Sequence, residues 1–303
     1  MYKIITILGP TATGKTQLAV ALSREIDGEI ISADSRQVYR GMDIGTGKDL
    51  LEYTIDGTSI PYHLIDTKEP GYEYNLFEFA NDFHRVLPEI IARKRTPILC
   101  GGTGMYINAI LKGNILHRVK EDPAFRKTLE AKSMAELSTE LASYKPLHNV
   151  SDILERNRLI RAIEIARSEA ENPDGYPKVP SIVFGVLFER QVIRDRISQR
   201  LSARLNEGMI EEVQRLLDEG VSPAKLHYYG LEYRYISNYL LGYIERDEME
   251  RLLETAIHQF AKRQTTWFRK MEREGIDIQW IDGNLPLTEK VRYICNRINS
   301  DSL

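Results

Sequence analysis

The chain has 303 residues, of which 28% are charged and 42% hydrophobic, and its formal net charge is −3. This size and composition are typical of a globular enzyme with one large domain or two smaller ones. No apolar run reaches the roughly eighteen residues that a membrane-spanning helix needs, so no membrane association is expected. The two cysteines, Cys100 and Cys295, lie far apart in apolar segments, which favours reduced thiols and a cytoplasmic location over a disulfide framework.

Residues 2–8 form an apolar, β-branched run that predicts a strand, and a helical pattern covers residues 17–26. Between them lies GPTATGKT, a complete G-x-x-x-x-G-K-[ST] phosphate loop in the strand–loop–helix setting that the motif requires. Backbone N–H groups and the helix N-terminus make such a loop attractive to anions. Lys15 is expected to reach a terminal phosphate and the Thr16 hydroxyl to hold Mg²⁺. The predicted polyphosphate site consists of Gly9, Pro10, Thr11, Ala12, Thr13, Gly14, Lys15 and Thr16.

A second predicted strand, residues 29–32, leads into Ala33 and Asp34. In an open parallel sheet, ligands bind beyond the carboxyl ends of the strands, which places Asp34 beside the phosphate loop. A carboxylate there can serve as a general base or help to hold Mg²⁺ through water. An aspartate that caps its own turn fits this segment equally well.

Further strand patterns cover residues 62–65, 96–100 and 181–188, with helical patterns between strands. This alternation predicts a parallel sheet with helices on both faces. The strand at 96–100 runs into Gly-Gly-Thr-Gly, which brings the Thr103 hydroxyl to the same edge of the sheet, although a plain turn into a helix explains the glycines on spacing alone. No acidic residue ends this strand, which argues against a generic ATPase.

Residues 121–177 show polar helical patterns without a strand signal, and Asp122-Pro123 is a helix-start signal. We therefore predict an α/β fold with a P-loop NTPase-like parallel-sheet core, residues 1–120 and 178–303, and a helical insertion domain, residues 121–177. The remaining patterns of the core predict long helices near 190–219 and 247–273, a short strand near 276–281 and a closing helix.

Three arginines, Arg196, Arg200 and Arg204, follow one another at intervals of four residues and so share a helical face. One of them at the crevice would stabilise a departing pyrophosphate through charge-assisted hydrogen bonds. A solvated face explains at least two of the three, with pairing to Asp195, Glu207 and Glu211.

Two other segments concentrate positive charge. Arg158 and Arg161 form a basic face in the insertion, and KRQTTWFRK at residues 262–270 places aromatic side chains among cations. That combination suits RNA, although ordinary surface helices have similar compositions.

Taken together, four segments resemble the tRNA dimethylallyltransferase (tRNA isopentenyltransferase) family, whose members prenylate the adenine just 3′ of the anticodon. They are GPTATGKT at 9–16, ISADSRQVYRGMDIGTGK at 31–48, GGTGMY at 101–106 and KRQTTWFR at 262–269. Weaker matches are HLID, DPAFR and NRLIRAIE. These segments occur in the family's order over nearly the whole chain, and the segment at 31–48 is highly specific.

The resemblance implies transfer of a dimethylallyl group from dimethylallyl diphosphate to N6 of adenosine 37 of tRNA, with release of diphosphate, by a monomer that uses Mg²⁺. The phosphate loop would bind the diphosphate, Asp34 would act as general base, and Thr103 and Arg196 would contact the diphosphate. The residues implied in binding tRNA, with the anticodon stem-loop as the target, are Asp34, Ser35, Arg36, Gln37, Arg126, Asn157, Arg158, Arg161, Arg234, Lys262, Arg263, Gln264, Trp267 and Arg269.

The chain departs from the family pattern in two places. Glu232 stands where the family has a glycine before Tyr-Arg, and the family's His-Pro-x-Asp run is altered at residues 148–152. The alternatives to tRNA prenylation are an adenylate (AMP, ADP or ATP) isopentenyltransferase, a small-molecule P-loop kinase and a non-catalytic nucleotide switch or RNA-binding protein. The segment at 31–48, the helical insertion and the KRQTTWFR segment favour the tRNA enzyme.

Overall fold

The computed structural model describes residues 3–113, 122–144, 155–171 and 175–300. The chain divides into two compact units. The first unit comprises residues 1–111 and 179–303, and the second comprises residues 112–178. The altered run at 148–152 lies outside the described residues.

The first unit is built on a six-stranded sheet in which every strand is parallel to its neighbours, in the order β5-β2-β6-β1-β7-β8. The predicted α/β class with a parallel sheet is therefore confirmed. The central strand β1 is buried at all five of its positions, as is typical of a parallel strand that helices cover on both faces. The strands are β1 (Ile4–Leu8), β2 (Gly28–Ser32), β5 (Tyr62–His63), β6 (Thr96–Gly101), β7 (Ser181–Leu187) and β8 (Ile278–Asp282), and a separate antiparallel hairpin joins β3 (Thr54–Ile55) to β4 (Thr58–Ser59).

The helices of the first unit cover the sheet and complete its core. Apolar side chains of α1, such as Leu18 and Leu22, pack in one buried cluster with Ile98, Phe184 and Ile294. The helices are α1 (Lys15–Glu25), α2 (Leu76–Ala92), α3 (Gly104–Lys112), α7 (Arg190–Asn206), α8 (Met209–Asp218), α9 (Pro223–Tyr229), α10 (Leu231–Leu240), α11 (Arg246–Arg273) and α12 (Leu287–Ser300), with a 3₁₀ turn at Leu50–Tyr53.

One helix differs from its prediction. The single helix expected over residues 190–219 is two helices, α7 and α8, with Gly208 at a φ of 101° between them. Glycine adopts this left-handed conformation without the steric cost that a side chain would add, so it ends α7 and reorients the chain.

The second unit contains three described helices, α4 (Pro123–Glu130), α5 (Met134–Tyr144) and α6 (Arg156–Glu171). Asp122 caps α4 as predicted, since its Oδ1 accepts hydrogen bonds from the backbone N–H groups of Ala124 at 3.1 Å and Phe125 at 3.0 Å. The three helices enclose a small apolar core of Leu129, Leu137, Leu141, Leu159, Ile160, Ile163 and Ala166. Among the described residues of both units, no helix is both long and apolar enough to cross a membrane.

The segment at 41–49, here called loop 41–49, is held to the first unit by two buried charges. Glu212 accepts hydrogen bonds from the backbone N–H groups of Asp43 (2.7 Å), Ile44 (2.8 Å) and Gly45 (3.0 Å), and from the Tyr233 hydroxyl (2.7 Å). Lys48, whose side chain is 0% exposed, pairs with Asp43 and Asp66. The loop therefore has a fixed conformation although it contains no regular secondary structure.

Replacing Glu212 with alanine is expected to destabilise the protein by about 3 kcal/mol, because three backbone donors and one hydroxyl lose their acceptor. Tyr233→Phe removes a single donor to the same carboxylate and is expected to cost about 1 kcal/mol. Urea unfolding of the two variants measures both values. Equal losses would contradict the role given to Glu212.

Candidate active site

A cavity of about 650 Å³ lies in the first unit, where the loops after β1, β2 and β6 meet helices α7, α10 and α11. Central strands place these loops side by side, since Leu8 pairs with Gly101 of β6 and with Gly185 of β7, and Ser32 pairs with Cys100. The cavity thus occupies the carboxyl edge of the sheet, the position at which ligands bind in open parallel sheets.

The phosphate loop turns tightly between β1 and α1. Ala12 and Gly14 have φ values of 62° and 73°, and the Thr13 hydroxyl donates to the Pro10 carbonyl at 2.9 Å. A Cβ at Gly9 would lie 2.8 Å from the Thr13 Oγ1, so this position has no room for a side chain. Helix α1 begins at Lys15 and directs its N-terminus into the cavity.

Lys15 provides the positive charge of this loop. Its Nζ lies 3.3 Å from the Pro10 carbonyl oxygen. Burial lowers the pKa of Lys15, and the nearby Asp34 and Asp49 oppose this effect. An anion bound in the loop would favour the charged ammonium, so the site is matched to a negatively charged ligand.

The loops after β2 and β6 bring Asp34 and Thr103 to the same cavity. The Thr103 Oγ1 accepts a hydrogen bond from the Ser35 backbone N–H at 3.2 Å, and the Thr103 N–H donates to the Ala33 carbonyl at 3.2 Å. A Cβ at Gly101 would lie 2.3 Å from that carbonyl oxygen, which explains why glycine occupies this position. The glycines therefore allow the two loops to pack directly on each other.

Asp34 caps its own turn and also lines the cavity, and its role as a general base stays a prediction. Its Oδ1 accepts from the Arg36 backbone N–H at 2.9 Å, as in a self-capped turn, while the side chain lines the cavity beside Lys15, Thr16 and Thr103. The turn fixes the orientation of a carboxylate that faces the ligand space.

The arginines of α7 do not form the solvated face that was expected for at least two of them. All three line the cavity, and none is paired with the expected acidic residues in the described contacts. Arg200 and Arg204 instead pair with Asp49 at 2.6 and 2.9 Å. The expectation was wrong because loop 41–49, distant in sequence, supplies a carboxylate to this face.

Arg196 lies at the edge of the same cavity. Its Nε donates to the Ala12 carbonyl at 2.8 Å, and its guanidinium stacks on the Phe188 ring at 4.7 Å. These contacts place the Arg196 charge against the phosphate loop, and its contact with a diphosphate stays a prediction.

The KRQTTWFR segment lies within α11 and has two faces. Gln264 is only 7% exposed, and its Oε1 accepts from the Thr11 N–H at 2.9 Å while its Nε2 donates to the Gly102 carbonyl at 3.0 Å. Trp267 packs on Gly104, where a Cβ would lie 2.2 Å from its Cδ1. The cations of the segment, Lys262, Arg263 and Arg269, are exposed. Gln264 and Trp267 thus join α11 to the loops of the cavity, and their direct contact with tRNA stays a prediction.

The remaining candidates near the cavity differ in burial. Gln37 is buried, with its Oε1 accepting from the Ser32 hydroxyl at 2.9 Å and its Nε2 donating to the Gly47 carbonyl at 3.0 Å, so it holds loop 41–49. Arg36 stacks on Tyr228 at 4.8 Å and lines the cavity beside Ser35. Arg234 is exposed on α10, over the ring of Tyr235.

The candidates of the second unit also fall into two groups. Arg126 and Arg161 lie on either side of Glu164, at 3.8 and 2.9 Å, and the Glu164 side chain is 2% exposed. Arg158 is exposed and pairs only across one turn with Glu155 at 3.0 Å in the contacts described, and Asn157 beside it is also exposed. Arg126 and Arg161 therefore compensate a buried charge, whereas Arg158 faces solvent.

Comparison with known proteins adds a second line of evidence. The family model described as IPP transferase matches residues 37–271, and the model described as isopentenyl transferase matches residues 2–65. A protein named tRNA dimethylallyltransferase 1 from Parabacteroides distasonis is 52% identical over 302 residues, which cover 99% of this chain and 98% of that protein. The chain belongs to the tRNA dimethylallyltransferase family. The resemblance deduced from its motifs is confirmed.

Other members of the tRNA dimethylallyltransferase family agree. A protein named tRNA dimethylallyltransferase 2 from Porphyromonas gingivalis is 54% identical over 294 residues, which cover 96% of this chain and 97% of that protein. The solved structure of full-length tRNA isopentenylpyrophosphate transferase from Bacillus halodurans matches with a TM-score of 0.72 at 32% identity, covering 99% of this chain and 96% of that chain. A eukaryotic dimethylallyltransferase acting on tRNA matches with a TM-score of 0.80 at 20% identity, covering 99% and 80%, and supports the fold alone.

Sequence reasoning missed three carboxylates of the cavity, Asp49, Glu52 and Glu232. Asp49 directly follows the family segment at 31–48, and Glu232 was noticed as a departure from the tRNA dimethylallyltransferase pattern, but nothing local linked either to the phosphate loop. Burial raises the pKa of Glu52, and the neighbouring Asp49 adds to this effect. Burial also raises the pKa of Glu232. Burial therefore makes the ionised form of both carboxyl groups less favourable than it would be in water.

Gln264→Leu is expected to weaken the binding of inorganic diphosphate about tenfold, because the phosphate loop and the glycine loop lose their common hydrogen-bond partner. Thr266→Val, an exposed change in the same helix, is the matched control and should leave this affinity within twofold. Calorimetric titration with diphosphate and Mg²⁺ measures both. Equal affinities for the two variants would show that the Gln264 bridge does not organise the loop.

Proposed function

We propose that this chain transfers the dimethylallyl group of dimethylallyl diphosphate to N6 of adenosine 37, the nucleotide 3′-adjacent to the anticodon of tRNA, and releases diphosphate. The observation that carries the proposal is that a phosphate loop, Asp34 and Thr103 line one cavity in a chain of the tRNA dimethylallyltransferase family. An anion cradle is thereby combined with a carboxylate that can accept a proton from the nucleophile.

The diphosphate end of the donor is assigned to the phosphate loop. Backbone N–H groups at the start of α1, the Lys15 ammonium and the Arg196 guanidinium stabilise the negative charge that develops as the C1–O bond breaks. The Thr103 hydroxyl is expected to contact the diphosphate from the opposite loop. The bonding electrons leave with the diphosphate oxygen.

The adenine end is assigned to the loop after β2. An exocyclic amine is a poor nucleophile, so Asp34 takes one N6 proton as the new C–N bond to C1 forms. The adenine reaches this carboxylate only if it leaves its base stack and enters the cavity. Apolar lining from Leu231, Ile257 and Phe260 helps to exclude water from the allylic carbon.

Mg²⁺ fits this site as a companion of the substrate. Within the described residues, no group of three or more His, Cys, Asp or Glu side chains could hold a metal ion. Mg²⁺ commonly keeps several waters and binds substrate phosphates with few protein ligands, and the Thr16 hydroxyl at the start of α1 suits such a site. When bound, Mg²⁺ would neutralise part of the diphosphate charge.

The tRNA partner is assigned to exposed cations, with the anticodon stem-loop as the segment bound. Lys262, Arg263 and Arg269 are exposed on α11, where Arg263 also lines the cavity, and Arg234 is exposed on α10. Arg158 provides an exposed cation on the second unit. Local concentration of charge is required because the net charge of the chain is −3. We further propose that the enzyme is a monomer. We also propose that it acts in the cytoplasm, where its two free cysteines would stay reduced.

The test is a transfer assay with labelled dimethylallyl diphosphate, Mg²⁺ and one of three acceptors: unmodified tRNA, AMP or none. Label in tRNA at adenosine 37 is the expected result. Label in AMP but not in tRNA would replace the proposal with an adenylate isopentenyltransferase. In a parallel incubation with ATP, ATP turnover by a protein that shows no prenyl transfer would indicate a kinase.

Asp34→Asn is expected to lower kcat roughly 10²–10⁴-fold, because the amide cannot accept the N6 proton. The affinity for tRNA should stay within twofold, since the shape of the side chain is kept. Asp56→Asn, in the exposed turn between β3 and β4, is the control for removal of a carboxylate and should leave kcat unchanged. Weak tRNA binding with normal single-turnover chemistry would contradict the role of Asp34.

Arg158→Ala is expected to weaken tRNA binding and to reduce the slope of log K against log salt by about one, as for a lost phosphate contact. Arg161→Ala is expected to weaken tRNA binding and, in addition, to lower the stability of the protein, because the buried Glu164 loses a compensating charge. Filter retention at several salt concentrations measures the loss of tRNA binding, and thermal unfolding measures the loss of stability. An unchanged slope for Arg158→Ala would remove it from the tRNA interface.

A further inference from the structure

Asp49 stands at the end of loop 41–49, where the chain turns into the 3₁₀ segment Leu50–Tyr53. It adopts a left-handed conformation with φ 48° and ψ 48°, an uncommon geometry for a residue other than glycine. This geometry places a carboxylate on the wall of the cavity rather than continuing the loop. The segment at 31–48 is thus followed directly by a charged group on the wall of the cavity.

The Asp49 carboxylate binds two arginines of α7. Its Oδ2 accepts from the Arg200 Nη2 at 2.6 Å, and its Oδ1 accepts from the Arg204 Nη2 at 2.9 Å. The other amino group of Arg200, Nη1, lies 3.5 Å from the Thr11 Oγ1 of the phosphate loop. The Arg200 guanidinium therefore extends from the carboxylate to the loop that is expected to bind the diphosphate.

Arg200 and Arg204 are held close together despite their like charges. A Cβ at Gly47 would lie 2.3 Å from the Arg204 Nη2 and 2.8 Å from the Arg200 Nη2, so both guanidiniums pack against the same glycine. Burial lowers the pKa of Arg200, the neighbouring Arg204 acts in the same direction, and Asp49 opposes both. The pKa of Asp49 responds in the complementary sense: burial raises it, but Arg200 and Arg204 together bring it below its ordinary value.

The position of Asp49 is fixed from behind. The Gly47 carbonyl accepts from the Gln37 Nε2 at 3.0 Å, and Glu212 and Lys48 hold the preceding residues of loop 41–49. The side chain of Arg204 is 12% exposed and that of Arg200 is 31% exposed, so solvent screens these ion pairs only in part. Loss of the carboxylate would leave two partly buried cations facing each other.

We propose that Asp49 is a positioning residue of the donor site, which holds Arg200 against the phosphate loop so that its guanidinium can bind the diphosphate. The inference rests on the proposed function, because the diphosphate is assigned to this loop. In this arrangement Asp49 contacts no substrate, and its effect is transmitted through Arg200. Arg200 becomes a second diphosphate-directed arginine beside Arg196.

A different role for the same carboxylate has the opposite consequence. A carboxylate that merely occupies the arginines until the donor arrives would compete with the diphosphate, and its removal would strengthen diphosphate binding. The sign of the effect of Asp49→Asn therefore distinguishes positioning from competition.

The experiment measures the affinity of inorganic diphosphate, with Mg²⁺, by calorimetry in the full chain. Asp49→Asn is expected to weaken binding about tenfold and to raise the KM for dimethylallyl diphosphate by a similar factor, with the KM for tRNA unchanged. Glu52→Gln is the matched control, because it removes a charge from the same cavity but leaves the pairs with Arg200 and Arg204 intact. Removal of negative charge alone should strengthen diphosphate binding in that variant.

A double-variant comparison tests the route through Arg200. Arg200→Lys alone is expected to weaken diphosphate binding, and Asp49→Asn added to it should weaken binding little further, because the group that Asp49 positions is already lost. Additive effects would overturn the inference, as would an unchanged or stronger affinity in Asp49→Asn. Thermal unfolding of each variant shows whether it is folded, so that a loss of diphosphate affinity is not confused with misfolding.

The two proposals fail in different ways. Absence of dimethylallyl transfer to tRNA by the unaltered protein would overturn the proposed function, while the diphosphate titration still decides the role of Asp49. Normal transfer together with unaltered diphosphate affinity in Asp49→Asn would overturn only the inference.

Discussion

The positive charge on the wall of the cavity has to be stable before an anion arrives, and the rest of the site is organised around this constraint. Lys15, Arg196, Arg200 and Arg204 all line the same space. Burial disfavours the charged forms of Lys15 and Arg200, so each needs a partner within the protein. Asp49 is that partner for Arg200 and Arg204, and backbone carbonyls of the phosphate loop are partners for Lys15 and Arg196.

Close packing of loops makes this arrangement possible. Glycine at position 101 lets the loop after β6 touch the loop after β2, and glycine at position 47 lets two guanidiniums share one surface. Gln264 then links the phosphate loop to the loop after β6 through both ends of its amide. Many side chains of the family-specific segments thus make contacts within the protein. Only the exposed side chains of these segments remain available to bind tRNA.

Helix α11 illustrates this division within a single motif. Its KRQTTWFR segment turns Gln264 and Trp267 towards the cavity loops, while Lys262 and Arg269 face solvent and the exposed Arg263 also lines the cavity. Helical periodicity separates the inward pair from Lys262 and Arg269, because Gln264 and Trp267 are three residues apart and share one face, while Lys262 and Arg269 are seven apart and share another. One short sequence can therefore support the donor site from inside and present cations to RNA from outside, which reconciles RNA binding with a net charge of −3.

The sequence by itself determined those features that depend on neighbouring residues. The phosphate loop, the parallel strands, the Asp122 cap and the placement of Asp34 and Thr103 at strand ends all follow from local periodicity, backbone conformational preferences and the rule that ligands bind at the carboxyl edge of a parallel sheet. The end of α7 before Gly208 was missed because a single glycine within a helical pattern does not by itself end a helix. Only the tertiary structure decided that Arg200 and Arg204 pair with Asp49 and that Gln264 bridges two loops. These partners are more than 150 residues apart in the chain, and their encounter depends on how the helices pack on the sheet rather than on any local pattern.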